Sequence, residues 1–116
     1  MGPGKKRLLL IGLFAMAAAT MSVQPAAAST ISVANDCEPA GIARFYCDVT
    51  VSGGVAPYGY AWIAERNAAI INNNGWLVSG RCFSFTVDYE LQVTITDSTG
   101  AQLVDQLSGV CSSKPA

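Results

Sequence analysis

Histidine is absent from this chain. The side chain that most often serves as general base is therefore missing, and with it the usual serine and cysteine triads. The sequence also lacks any C-x-x-C pair, and zinc sites are built from such cysteine pairs together with histidine. Charge is scarce, with Asp, Glu, Lys and Arg making up 13% of the residues. After residue 28 only Arg44, Arg66, Arg81 and Lys114 stand against all 8 acidic residues, and no basic run occurs. Nucleic-acid affinity comes largely from Lys and Arg neutralising phosphates, so a nucleic-acid partner is not expected. There is no D-x-D-x-D calcium loop. The pair Gly53-Gly54 leads into a proline-led segment rather than a helix, which excludes a glycine-rich phosphate loop.

Long apolar runs are missing too. The nearest approach, Leu8 to Ala19, is interrupted by Thr20, Ser22, Gln24 and Pro25, short of the roughly 20 apolar residues that span a bilayer. It has the form of an export signal instead. Lys5, Lys6 and Arg7 are the basic n-region, the apolar run follows, and Ala26-Ala27-Ala28 before Ser29 suits signal peptidase. Residues 1–28 are expected to be a signal peptide, and the product to be secreted and extracellular with no membrane attachment. Residues 29–111 then form one small domain, followed by a disordered tail, 112–116.

What the chain does contain is an even set of 4 cysteines, Cys37, Cys47, Cys82 and Cys111, all beyond the leader. In a small exported domain this reads as two disulfides. Three pairings are possible, and Cys37–Cys47 with Cys82–Cys111 is favoured because each pair flanks an apparent local hairpin.

Secondary structure is legible as alternation. From 83 to 96, Phe83, Phe85, Val87, Tyr89, Leu91, Val93 and Ile95 are apolar, and the residues between them are polar. That period of two means a strand with one buried face. One strand of that length would reach about 45 Å, too long for a small domain. A bend is therefore expected near Val87 or Asp88, with the main strand at Tyr89 to Asp97. Asp97-Ser98-Thr99-Gly100 is a turn, with a return strand from Gln102 to Val110. Phe45 to Ser52 alternates likewise, and Tyr58, Tyr60 and Trp62 open the next strand. Asn74-Gly75 marks a two-residue hairpin turn between Ile70-Ile71 and Trp76-Leu77-Val78. Thr30 to Val33 is a short first strand, and Glu38-Pro39-Ala40-Gly41 a turn. About seven strands without helical periodicity predict an all-β, antiparallel two-sheet sandwich of immunoglobulin-like kind.

Two segments carry a family resemblance. Val51-Ser52-Gly53-Gly54-Val55-Ala56-Pro57-Tyr58-Gly59-Tyr60-Ala61-Trp62, followed by Val93-Thr94-Ile95-Thr96-Asp97-Ser98-Thr99-Gly100-Ala101, resembles PKD-like domains of the immunoglobulin-like superfamily. The resemblance implies a sandwich used as a spacer, or as an adhesive or recognition module on exported proteins. The same residues also make sense as packing, with a tryptophan on a central strand filling the space between sheets.

No catalytic residue, metal site or cofactor is expected. Asp88 and Glu90 lie on the polar face of the alternating strand, and Asp97 serves a turn; Asp105 has no assigned facing. For binding, Trp76 follows a tip made of Asn72, Asn73, Asn74 and Gly75. A tryptophan beside amides can stack on a sugar ring or anchor a protein partner. The alternative is that Trp76 packs under the hairpin. Tyr58, Asn73 and Asn74 complete the candidate binding set, and Arg66 and Asn67 join it if their loop folds back. Two functional readings stand: extracellular recognition or adhesion to a protein or glycan, and a small disulfide-stapled inhibitor or toxin-like protein.

Overall fold

The computed structural model describes Thr30 to Pro115, so the expected signal peptide at 1–28 lies outside the described residues. Seven strands follow one another: β1 (Ser32–Pro39), β2 (Arg44–Ser52), β3 (Gly59–Arg66), β4 (Ala68–Asn73), β5 (Leu77–Cys82), β6 (Tyr89–Thr96) and β7 (Gln102–Gly109). They form two antiparallel sheets with strand orders β1-β2-β5-β4 and β3-β6-β7. This is the order of an immunoglobulin constant-type sandwich, whose first, second, fifth and fourth strands face the third, sixth and seventh.

The core follows from alternation on two central strands. In β6, Tyr89, Leu91, Val93 and Ile95 are buried while the intervening polar residues face out. Phe45, Cys47 and Val49 of β2 meet them from the other sheet. Phe45 and Tyr89 stack across the sheets with ring centroids 4.2 Å apart. Each ring has a glycine opposite it, Gly80 beside Phe45 and Gly109 beside Tyr89. A Cβ at Gly80 would collide with the Ala69 carbonyl and press on the Phe45 ring, and one at Gly109 would collide with the Tyr89 phenol. The absent side chains are what seat these aromatics.

Three expectations need correction. The alternation of 83–96 is not one bent strand, because residues 83–88 form a loop and leave Phe83 and Phe85 61% and 50% exposed. Asn67 decides this. It holds a left-handed φ of 52° and fixes the loop from the far side of the chain. Its Nδ2 donates to the carbonyls of Ser84 (2.9 Å) and Val87 (2.7 Å), and its Oδ1 accepts from the N–H groups of Phe83 and Ser84. Asn67 is thus a loop clamp.

The first strand runs to Pro39 rather than stopping at Val33, with its register continuous along β2. It is an edge strand, so Asn35, Asp36 and Glu38 stay wet, and Pro39 at its end need not donate to a ladder. The third correction concerns Trp62, which stands on β3, an edge of the three-stranded sheet. It is half-buried and spends its indole N–H on Gly75, as described below.

Both disulfides form in the expected pairing. Cys37 and Cys47 are direct cross-strand partners, with Cα atoms 4.1 Å apart. Cys82–Cys111 joins the end of β5 to the residues after β7, and therefore one sheet to the other. Ala43 brackets this second bridge, its N–H donating to Ser112 O (2.8 Å) and its carbonyl accepting from Cys82 N–H (3.0 Å). Ser112, the first residue of the expected tail, is consequently tied to the domain.

At the opposite pole Asp97 joins two loops. Its Oδ1 accepts from Thr99 Oγ1 (2.7 Å) and from the N–H groups of Thr99 and Ala101, and its Oδ2 accepts from Val55 N–H (3.0 Å). The Thr99 hydroxyl foremost, with these backbone donors, holds the carboxyl below its ordinary range despite burial. A depressed folded pKa contributes stability that is complete above the unfolded value of about 3.9 and is lost as pH falls through the folded one. Melting temperature is expected to fall below about pH 4 in the native chain, and less steeply in Asp97→Asn. Parallel melting curves for the two proteins between pH 7 and 2.5 would exclude this role.

Candidate functional site

The outer face of the β1-β2-β5-β4 sheet carries the candidate site. Burying Phe45, Cys47 and Val49 turns Tyr46 and Asp48 of β2 outward, and burying Val78 and Gly80 does the same for Leu77 and Ser79 of β5. Register aligns Tyr46 with Ser79 and Asp48 with Leu77. On β4 the pairing shifts between Ile70 and Asn72. The extra residue, Ile71, is left exposed, and Asn72 is brought opposite Ser79, its Nδ2 3.4 Å from the Ser79 hydroxyl. These residues, with Asn74 and Trp76 at the hairpin, line an open groove of about 460 Å³.

Trp76 is presented by a rigid tip. Asn74 N–H donates to Leu77 O (2.8 Å), which leaves Gly75 and Trp76 as the two residues at the turn. Gly75 has a φ of 80°, the left-handed conformation that glycine adopts without penalty. The sequence places Asn74-Gly75 at the tip. The observed turn lies one residue later, so Trp76 stands at the tip and is 53% exposed. Its own carbonyl accepts from Val49 N–H (3.0 Å), tying the turn to β2. From beneath, Trp62 Nε1 donates to Gly75 O (2.6 Å), and Gly75 rests on the Tyr60 ring, where a Cβ would lie 3.6 Å from a ring carbon. The two tryptophans divide the work, Trp62 holding the tip and Trp76 facing solvent.

The groove is bordered on one side by acids. Asp36 of β1 lies opposite Asp48, and Glu38 opposite Tyr46. A hydrogen bond with Asp36, then the charges of Asp36 and Asp48, raise the Glu38 carboxyl above its usual range. The opposite end of the same face carries Arg44 paired with Arg81.

Of the four residues singled out from sequence, Trp76 and Asn74 meet in the groove. Asn73 spends its Oδ1 on Gly75 N–H (2.9 Å), shaping the turn. Tyr58 does not line the groove. It packs against the core and donates its hydroxyl to Gly53 O. Arg66 pairs with Glu90 (3.6 Å) and Asn67 serves the 83–88 loop, so neither joins the site. Sequence reasoning missed Tyr46, Asp48, Leu77 and Ser79, and placed Asn72 at the tip rather than on β4. The outward phase of Tyr46 and Asp48 was readable from the alternation of β2, but their neighbours depend on register and on the β4 bulge. No family model, curated protein or solved structure matches the chain.

Proposed function

We propose that this is an exported, non-catalytic immunoglobulin-like domain of PKD-like type that recognises a glycan or protein outside the cell, using the Trp76 groove. One observation carries the reading. A tryptophan more than half exposed is held on a rigid tip beside a second aromatic, Tyr46, with amides and a carboxylate at its flanks. An exposed ring supplies apolar contact area at small entropic cost, and Asn72, Asn74 and Asp48 supply the hydrogen-bonding groups that orient a sugar or a peptide. Two disulfides and no free cysteine among the described residues are consistent with an oxidising, extracellular location.

The measurement is a glycan array, together with binding to isolated cell-wall material, run on the purified domain and on Trp76→Ala. The variant is expected to keep its circular dichroism spectrum and lose at least about 30-fold in affinity, as a central aromatic anchor does. Equal binding by both proteins would remove the groove from the reading. The exposed Phe83 and Phe85 on the clamped 83–88 loop support a second reading, a small inhibitor or toxin-like protein that inserts this loop into a partner. Binding that survives Trp76→Ala but not Phe85→Ser would favour it.

A further inference from the structure

A second cavity opens between the two sheets, away from the Trp76 groove. It has a volume of about 480 Å³ and lies where β1 approaches the end of β7. Pro39, Phe85 and Val110 give it apolar walls, together with Cys37 and Cys111, one cysteine from each disulfide, while Ser112, Ser113 and Lys114 form a polar rim. Phe85 and Val110 are exposed at its rim. Tyr89 also lines it, although that residue is only 2% exposed. The phenol end of Tyr89 lies beside Gly109, itself part of the cavity wall. Among the described residues the Tyr89 hydroxyl has no hydrogen-bond partner, while the ring is fully occupied in stacking on Phe45.

A buried hydroxyl without a partner costs free energy, and folded proteins rarely leave one so. Here the group is a donor at the base of a mouth with apolar walls and a polar rim, whose size falls in the range of small-molecule sites. We propose that this mouth is a second binding site, independent of the Trp76 groove, for a small neutral group: an apolar ring or short acyl chain bearing a carbonyl oxygen. The Tyr89 hydroxyl donates to that oxygen, and Pro39, Phe85 and Val110 enclose the apolar body. Burial, then the charges of Glu38 and Asp36, push the Tyr89 phenol up to about 12. It therefore stays a neutral donor at physiological pH; Lys114 also lines the mouth, but the two carboxylates whose charges reach the Tyr89 hydroxyl outnumber this one cation and disfavour an anionic ligand there.

Three probes separate the contributions: 2-acetylnaphthalene, the carbonyl-free 2-ethylnaphthalene, and the anion 2-naphthoate. Each is titrated into the isotope-labelled domain and followed by amide chemical shifts. Saturable shifts are expected for 2-acetylnaphthalene at Phe85, Gly109 and Val110, with weaker binding of the other two. In Tyr89→Phe, which keeps the stacked ring, affinity for 2-acetylnaphthalene should fall about fivefold, while that for 2-ethylnaphthalene stays unchanged. The variant should melt no lower than the native chain, since it removes an unpartnered polar group. Trp76→Ala should bind all three probes as the native domain does. Non-saturable shifts, shifts centred on the groove, or equal affinity of Tyr89→Phe for 2-acetylnaphthalene would each overturn the proposal. So would a melting temperature lowered by several degrees in Tyr89→Phe, which would mean that the hydroxyl has a structural partner.

Discussion

Replacing Cys82 and Cys111 together by alanine is expected to lower the unfolding free energy by about 3.5 kcal/mol. The bridge closes a loop with a sequence separation of 29, and constraining a longer loop removes more entropy from the unfolded chain. Cys37–Cys47, with a separation of 10, is expected to contribute about 3 kcal/mol by the same reasoning. The larger effect also has a structural side. Cys82–Cys111 crosses between the sheets, whereas Cys37–Cys47 links strands already paired along their whole length. Small domains have total stabilities of about 5–15 kcal/mol, so the alanine pair should leave the domain marginally folded. Urea unfolding of the two double variants and the native protein provides the comparison. A loss below about 1 kcal/mol for the Cys82/Cys111 pair, or a larger loss for the other pair, would contradict the loop-length account.

Asn67→Ala should cost about 3 kcal/mol, a large effect for a half-buried polar residue. The side chain makes four hydrogen bonds to the backbone of the 83–88 loop, each worth about 1 kcal/mol net, with a further cost for the partners left unsatisfied. Alanine must also hold the left-handed φ of 52°, which asparagine tolerates better. Asn67→Gly separates the two effects, since glycine accepts that backbone freely but cannot bond the loop; it should be about 1 kcal/mol less damaging than alanine. Amide exchange at Phe83 and Ser84, whose N–H groups point at Oδ1, should accelerate in both variants. Unchanged exchange at those two amides would mean that the loop holds itself.

The alternation of β6 was fully readable because one buried face against one wet face leaves few other solutions. The same alternation misled upstream. Phe83, Phe85 and Val87 continue the pattern in sequence, but Cys82 is bridged to Cys111 and Asn67 bends the backbone by reaching 16 to 20 residues along the chain. Alternation describes a preference of the local chain, and a cluster of four side-chain-to-backbone hydrogen bonds overrides it. The opposite error occurred in β1, where Asn35, Asp36 and Glu38 lack strand propensity. Pairing with β2 supplies the structure there, with Cys37 opposite Cys47 along the register. At the candidate site, the Asn-Gly signal located the hairpin, but its turn was one residue off. That single step moved Trp76 from a strand flank to the tip, because the Asn74–Leu77 pair, and not the dipeptide, defines the turn.

By itself the sequence determined the all-β class, the number of strands and the residues of the central core. These depend on the period of two along single strands and on turn residues, both local properties. The cysteine spacing also pointed to the observed disulfides, since each pair brackets one hairpin. Only the tertiary structure decided the edge position of Trp62, the exposure of Trp76, the assembly of Tyr46, Asp48, Asn72 and Ser79 beside it, and the unpartnered hydroxyl of Tyr89. Each of these depends on which strands become neighbours, where a bulge shifts the register and how two sheets face each other. Such contacts join residues far apart in the chain, and no local pattern encodes them.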